Sequence, residues 1–516
     1  MEMDLTFYEV KDISDSDSDR TLPKNLREAS TVVLQSIEND AAERYSENSS
    51  MQSQRGSDCS LPSDDTHNAT PIPFGRSETL AANYYIEYGI PFLYPCYRSN
   101  PIQGGKSWIL DMAMNNPLLR QVIVCQGSYF FGLIGSWADN NALYETAVTQ
   151  MSQGATILTQ GPDVFISTGI QDRLPEAVHT MTAIMQMQRF SAATQRFSKC
   201  QSYLDIARTI FKAVLGTATY GLENPRSSFE AVIDRLGPGS HIVPSQIFPV
   251  SSPDQAGFRF STILLIFDDI IASTVRNEKP TLYEYIPSIL GHKDDPYPPI
   301  DFSGVVGCRN WVLVQIAEIS MLKAWKYQCK RAGIIDHEER VRRVTEIRKA
   351  LELYLYDLKK EVKTIKSGED MMPEIFITET LQTISIQTSL ITQVWCHAAL
   401  LYLSLVAEDD GPSGIPKQVH VGNIIALLYL EISPKTRIRT MAWPFYVAGC
   451  LSQPERRWSM RETVAMLQPL NAFGTIQLAF DIMESVWQNG GAKPNASEDD
   501  LSDWFTNTDN VTALLV

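Results

Sequence analysis

The chain has no closely spaced cysteines. No two of its eight cysteines lie within ten residues of each other along the 516-residue sequence. A zinc cluster needs thiolates a few residues apart, so that a short loop can wrap the ion, and disulfide frameworks are typical of much shorter chains. We therefore expect reduced thiols that serve as small core residues. They are Cys59, Cys96, Cys125, Cys200, Cys308, Cys329, Cys396 and Cys450.

Positive charge is scarce as well. The 44 lysine and arginine residues are outnumbered by 60 aspartates and glutamates, which gives a net charge of −16. Surfaces that bind DNA are usually basic, because neutralising phosphates supplies most of the affinity. The stretch richest in lysine and arginine, residues 323–366, is matched by its own acidic residues. The sequence therefore predicts no direct DNA contact.

A secretory signal is missing from the first residues, which are acidic and lack a basic region followed by an apolar run. One segment tests a membrane location, because residues 380–407 contain no charged side chain. The same segment contains three glutamines, a histidine and several serines and threonines. A helix buried in a large helical core explains it better than a membrane span does, so we expect no membrane contact.

Catalytic motifs are incomplete wherever they begin. Asp268 and Asp269 lie in an apolar helical pattern and are similar to the magnesium-binding aspartates of terpene cyclases, but Ala272 stands where a third acid is needed. Without a metal, we expect a helix with one exposed aspartate and one capped or paired aspartate. Residues 104–107 end like a phosphate-binding loop, yet Asn100 replaces its first glycine. Residues 237–239 do not continue as a dinucleotide-binding fingerprint.

Histidine gives no better evidence for a reaction centre. None of the seven histidines is spaced from another as metal ligands are, and none falls in a recognisable triad order. His397, on an apolar helical stretch, is interpreted as a satisfied core residue rather than a ligand. We therefore predict no catalytic, cofactor-binding or metal-binding residue, no cofactor, and a protein that is not an enzyme.

The two ends of the chain differ from its middle. Residues 1–75 contain 15 acidic and 6 basic residues and are rich in serine, which predicts a disordered acidic arm. Its first ten residues alternate Leu5, Phe7, Tyr8 and Val10 with acids, as activation segments do; the alternative is an ordinary acidic tail. Residues 491–516 are predicted to form a short polar tail, which leaves 76–490 as one large domain.

Helical periodicity dominates that domain, so the predicted fold class is all-α. Asn116 followed by Pro117 marks one helix start, and Phe260 to Ile271 carry an apolar stripe at helical spacing. Residues 337–366 form a long charged helix whose apolar residues repeat at intervals of three and four. That repeat fits either a coiled-coil seam or, as we favour, a helix packed on its own domain.

The C-terminal third carries the most specific pattern in the chain. It contains W-P-F-Y-V-A-G-C-L-S-Q-P-E-R-R at 443–457 and F-G-T-I-Q-L-A-F-D-I-M-E-S-V-W at 473–487. Upstream, in order, come G-G-K-S-W at 104–108, F-R-F-S-T-I-L-L-I-F-D-D at 258–269, V-G-C-R-N-W at 306–311 and H-A-A-L-L-Y-L at 397–403. The set resembles the fungal-specific transcription factor domain, the helical regulatory domain that usually follows a zinc cluster of six cysteines.

The resemblance implies a transcriptional regulator in the nucleus, working with other regulators or coactivators on a fungal secondary-metabolite or drug-response gene set. It also implies frequent homodimerisation, and a small-molecule effector in an internal apolar pocket is compatible with it. Because the cysteine cluster is absent from this sequence, three explanations stay open: action through a DNA-bound partner, loss of a first gene segment, or a repurposed domain. An all-α enzyme such as a cyclase is the alternative function, and a simple dimerisation scaffold is a third.

Overall fold

Helices form nearly all of the regular structure in the described residues of the computed structural model, which confirms the all-α prediction. The described residues are 74–98, 105–135, 170–218, 224–237, 240–241, 249–275, 278–293, 295, 297–333, 336–366, 381–407, 415–433, 435–467 and 474–488. Residues 1–73 of the predicted arm and the whole predicted tail, 491–516, lie outside this part of the chain.

Sixteen α-helices are present in the described residues, and we number them in chain order. They are α1 (Arg76–Tyr84), α2 (Ile90–Leu93), α3 (Ser107–Asn115), α4 (Pro117–Gly135), α5 (Leu174–Ala193), α6 (Cys200–Gly216), α7 (Pro225–Arg235), α8 (Pro253–Val275), α9 (Ile286–Leu290), α10 (Asn310–Ala332), α11 (His337–Lys366), α12 (Leu381–Ala407), α13 (Lys417–Ala426), α14 (Ala442–Cys450), α15 (Arg457–Ala465) and α16 (Gly474–Gln488).

Shorter elements link these helices. Two π-helical turns span Tyr85–Gly89 and Leu427–Glu431. The 3₁₀ turns are Gln171–Arg173, Phe197–Lys199, Phe302–Gly304, Lys435–Met441 and Pro454–Arg456. The described strands, β1 (Ser240–His241) and β2 (Pro249–Val250), form one antiparallel pair of two residues each. This pair is too short to alter the fold class.

Local capping explains where several helices begin. The Asn116 side chain accepts a hydrogen bond from the backbone N–H of Leu119 at 2.9 Å, so α4 begins at Pro117 as predicted. At α8, Ser252 and Gln255 bond each other's backbone N–H groups at 3.0 and 3.1 Å. This reciprocal capping box satisfies donors that an uncapped helix start would leave open, with proline at the first helical position.

Helix α8 is the centre of the first half of the domain. It packs against α3, α5, α6 and α10, and every residue from 260 to 274 is buried. Aromatic side chains fill the space around it: Phe260 meets Tyr94, Tyr97 and Trp108 with ring centroids 5.1 to 5.4 Å apart. Such tilted and edge-on contacts add to the free energy of simple burial.

Helix α12 is the centre of the second half, and it contacts α10, α11, α13 and α14. It is the uncharged segment noted in the sequence. Within the described residues, one helical stretch, Thr383–Ala407, is long and apolar enough to cross a membrane, and 94% of its most apolar window is buried inside the protein. The helix therefore buries its apolar surface against neighbouring helices, as expected for a core helix.

The two halves meet at the carboxyl ends of α8 and α12. The carbonyl of Thr274 accepts hydrogen bonds from Tyr402 Oη and Lys323 Nζ, both at 3.3 Å. Lys326 Nζ donates to the carbonyl of Val406 at 2.8 Å, and Trp443 Nε1 donates to Thr274 Oγ1 at 2.9 Å. Carbonyls in a last helical turn lack helical partners and carry partial negative charge, so buried lysines stabilise both ends.

The long charged helix, α11, has the bounds predicted for it, and its apolar side packs on α12 and α10. Leu351 and Leu358 are buried, while Leu353 and Tyr356 on the other side are exposed. The favoured interpretation, a helix packed on its own domain, is confirmed.

The tryptophan-bearing C-terminal blocks are packing elements, as interpreted from the sequence. Trp443 stacks on Trp395 of α12 with centroids 5.6 Å apart and planes 10° apart. Gly449 lets α14 and α16 approach closely, because a Cβ there would lie 2.1 Å from Met483 Cε. Trp487 Nε1 donates to the Gly449 carbonyl at 3.0 Å and fastens the contact.

Close helix packing gives a stability prediction at Gly127, where α4 crosses α1. A Cβ at this position would lie 2.0 Å from the backbone oxygen of Ala81, so Gly127→Ala must displace a helix and should lower the free energy of unfolding by about 1–3 kcal/mol or more. Gly216→Ala is the matched control, because nothing lies within 4 Å of its Cβ position and alanine favours a helix by about 0.5–1 kcal/mol. Urea denaturation measures both; equal effects would contradict the packing.

Candidate functional site: a buried ion-pair cluster and its pocket

Both aspartates of α8 are buried with no exposed surface. The expectation that one of them would be exposed is therefore wrong. Successive residues of a helix point about 100° apart, so the two carboxylates reach different neighbours. Asp268 accepts from Arg189 of α5 at 2.7 Å, and Asp269 accepts from Arg208 of α6 at 2.6 Å. We call these four residues the ion-pair cluster.

Asp269 is the fully satisfied member of the cluster. Its Oδ1 receives Arg208 Nε at 2.7 Å, and its Oδ2 receives the backbone N–H of Leu282 at 2.8 Å. Burial raises the pKa of Asp269, and the charge of Arg208 and the backbone donors oppose that rise. Arg208 also bonds Asp205 of its own helix at 2.6 Å. This side of the cluster ties α6, α8 and the segment after α8 together.

Asp268 is less completely satisfied. Its Oδ1 accepts from Arg189, but its buried Oδ2 has no hydrogen-bond partner in the described residues. Burial raises the pKa of Asp268 to about 7, while Arg189 and Arg208 act to lower it. The Arg189 guanidinium lies 5.2 Å from the ring centroid of Phe267. A half-satisfied buried pair is costly, and here it lies beside open space.

That space is a small pocket, which we call the arginine pocket. Its polar lining is Tyr94, Arg189, Arg439, Thr440 and Thr475, and its remaining lining is apolar. The volume that small molecules can reach inside it is about 30 Å³, which is room for a few small atoms. The lining of this pocket is therefore mixed, and the expectation of an internal apolar pocket for an effector stays a prediction.

The cluster is poorly arranged for metal-dependent chemistry. Within the described part of the chain, no three histidine, cysteine, aspartate or glutamate side chains lie close enough to hold a metal ion. Each carboxylate of α8 already faces an arginine, whose positive charge repels a cation. Diphosphate-binding carboxylates must converge on magnesium ions, and these two diverge toward separate helices.

A histidine pair was missed in the sequence. His397 of α12 and His420 of α13 place their Nδ1 atoms 2.8 Å apart, and both side chains are buried. One Nδ1 must donate and the other must accept, so the two imidazoles cannot both be protonated, and their lowered pKa values keep both neutral near pH 7. Burial is the largest cause of their lowered pKa values, about 3 for His397 and about 4 for His420. No spacing rule could have paired them, because helix packing alone brings them together.

The remaining sequence candidates play structural parts or lie outside the described residues. Lys106, of the incomplete phosphate loop, donates to the carbonyl of Ile86 at 3.2 Å, and Ser107 begins α3. Of residues 237–239 only Gly237 is described, with φ +106°, where glycine is favoured. The prediction that no residue is catalytic, cofactor-binding or metal-binding stays a prediction.

A family comparison decides what kind of protein carries this architecture. The model of the fungal-specific transcription factor domain matches residues 79–510, which is most of the chain. The chain belongs to the fungal-specific transcription factor domain family.

Individual relatives agree with this membership. Transcription factor dibT of Pestalotiopsis microspora is 28% identical over 443 residues, covering 82% of this chain and 68% of the relative. The ustiloxin B cluster transcription factor ustR of Aspergillus flavus is 23% identical over 49% of this chain and 41% of its own length. The trichothecene biosynthesis transcription regulator TRI10 of Fusarium sporotrichioides is 22% identical over 38% and 42%. The matched part of this chain thus covers less than half of the length of ustR and of TRI10. No solved structure matches.

Family membership also bears on the aspartates. This domain family and its named relatives are transcription factors, so the chain is a transcriptional regulator of this family and the cyclase alternative is not favoured. In this fungal-specific transcription factor domain, the F-D-D sequence of α8 supplies partners for arginines of α5 and α6.

The histidine pair predicts a pH dependence of stability. Because the pKa of His397 is lowered to about 3 from its ordinary 6.5, the unfolded chain binds the proton first as the pH falls. The stability that the neutral His397 allows is therefore fully present above pH 6.5, and it is lost progressively as the pH falls from 6.5 toward 3. When the pH is lowered from 7 to 5, the free energy of unfolding should fall by about 2 kcal/mol less in the His397→Gln variant than in the parent protein.

Urea denaturation at several pH values provides the measurement. The exposed His337→Gln variant is the matched control, since it removes a histidine and leaves the buried pair intact. Parallel curves for the parent and His397→Gln would contradict the buried neutral pair.

Proposed function

We propose that this protein regulates transcription of a fungal secondary-metabolite gene cluster and acts mainly through protein contacts. The observation that carries the proposal is the family match over residues 79–510. Relatives named for the ustiloxin B cluster, pestheic acid and trichothecene biosynthesis support the secondary-metabolite assignment. A drug-response gene set is the less supported of the two target classes that the resemblance implies.

The cysteines and the charge balance support action through protein contacts. The described cysteines are free, and six of these seven are buried. Burial raises the pKa of several thiols, to about 12 for Cys125, Cys200 and Cys450. Thiols that stay protonated are poor zinc ligands. Together with the net charge of −16, this favours a DNA-bound partner over direct DNA contact by these 516 residues.

The division of labour within the chain is part of the proposal. Residues 1–75 would act as an acidic activation segment, 76–490 as the helical regulatory body and 491–516 as a polar tail. The partners would be other transcription regulators or coactivators in the nucleus, with a second copy of the chain as a further partner. A small-molecule effector would act on the helical body. Family membership supports a nuclear regulator, and the finer points rest on composition.

Tethering the protein to DNA tests the function. The full chain, fused to a heterologous DNA-binding module in a fungal host, should activate a reporter at least about tenfold over the module alone. Such a gain needs only about 1.4 kcal/mol of added recruitment. Replacing Phe7 and Tyr8 with serine should remove most of the activation, because apolar anchors among acids bind partner grooves.

The matched control replaces Ile13 and Thr21 with serine, which preserves every apolar residue among the first ten. Immunoblotting checks that all fusions accumulate equally. A full-length fusion that neither activates nor represses the reporter would contradict the proposed function, whereas activation that survives loss of both rings would contradict only the role of the arm.

A further inference from the structure

The arginine pocket is the feature of the described structure that the regulatory function leaves unexplained. Segments far apart in sequence converge on it: the end of α2, helices α5, α8 and α16, the loop before α10, and the 3₁₀ turn Lys435–Met441. A ligand here would touch both halves of the domain at once. The affinity for such a ligand would therefore depend on how the two halves pack together.

Two guanidinium groups face this pocket from opposite parts of the chain. Arg189 comes from α5, and Arg439 comes from the turn before α14; Arg439 is 6% exposed and lies 3.9 Å from the centroid of the Phe92 ring. Among the described residues that line the pocket, none is acidic. Burial and the nearby charge of Arg189 lower the pKa of Arg439 to about 9, so Arg439 remains a cation near neutral pH.

Two buried hydrogen-bond donors at the arginine pocket have no acceptor in the described residues. Tyr94 lines the pocket, is 3% exposed, and its hydroxyl has no partner in the described residues. Burial raises the pKa of Tyr94, so the hydroxyl stays a donor. Arg189 Nε is buried without a partner as well. Orphaned buried donors cost free energy, and an acceptor placed in the pocket would remove that cost.

We propose that the arginine pocket binds a small carboxylate of about acetate size. Its two oxygens would accept hydrogen bonds from the guanidinium groups and from Tyr94, and charge-assisted hydrogen bonds from guanidinium to carboxylate are strong. Leu264, Phe267 and Val306 form an apolar wall that suits a short alkyl group. The available volume excludes large metabolites, and the positive lining disfavours cations. Binding itself is independent of the proposed function, but the role of the ligand as an effector rests on it.

Acetate is the probe, and acetamide, which has the same shape without the charge, is its matched control. Purified full-length protein is titrated with ¹³C-labelled acetate at constant ionic strength and followed by saturation-transfer NMR, with thermal unfolding measured in parallel. We expect binding of acetate and none of acetamide. Arg439→Met, which keeps an apolar stem, should weaken acetate binding at least about tenfold, as expected for losing a charge-assisted bond.

Two further variants keep the test decisive. Tyr94→Phe removes one oxygen only and should weaken binding about three- to tenfold even if Arg439→Met does not fold. Arg461→Met, on a half-exposed arginine that pairs with Glu484, should bind acetate as the parent does. Equal responses to acetate and acetamide, or acetate affinity unchanged in Tyr94→Phe, would overturn the proposal. A silent tethered fusion would overturn the proposed function and leave the binding result standing.

Discussion

The two adjacent carboxylates of the buried helix α8, Asp268 and Asp269, impose the strongest constraint on this fold. Burying a charge without a partner costs several kcal/mol, so Asp268 and Asp269 restrict α8 to an orientation in which each meets an arginine. Because the two side chains diverge, this rotational setting fixes α5 on one side and α6 on the other. An apolar stripe alone would allow α8 to slide or rotate among similar packings. The aspartates thus specify the arrangement more than they add stability, and the same pairing makes them unsuited to magnesium.

The second constraint is the joint at the carboxyl ends of α8 and α12. Lys323, Lys326 and Trp443 bind the last turns of these helices. Helix α10 packs on both α8 and α12, and α14 reaches α8 through Trp443. The W-P-F-Y-V-A-G-C block, which gives the family resemblance, therefore lies where the halves are joined. Contiguous packed side chains are the kind of contact that can carry energetic coupling between two parts of a domain. The arginine pocket lies between the same halves, which is why its occupant would matter for regulation.

Local signals predicted most of the helices. Asn116 and Pro117 gave the start of α4, and the three-four spacing gave α11, because capping and periodicity depend only on neighbours in sequence. The ion pairs could not be predicted this way: Arg189 is 79 residues from Asp268, and Arg208 is 61 residues from Asp269. His397 and His420 were missed for the same reason. Their pairing depends on how α12 and α13 cross, and single-sequence patterns carry no such information. The arginine pocket could not be predicted from local patterns either, because its lining comes from six segments that are far apart in sequence.

A double-mutant cycle on Arg208 and Asp269 tests the central claim most directly. The variants are Arg208→Met, Asp269→Asn and the pair together, and urea denaturation gives the free energy of unfolding of each. Each single variant should lose about 3–5 kcal/mol, because it leaves one buried group uncompensated. The double variant should lose at least about 2 kcal/mol less than the sum. Strictly additive losses would show that the two residues do not depend on each other, and the account of α8 as a helix fixed by its ion pairs would be wrong.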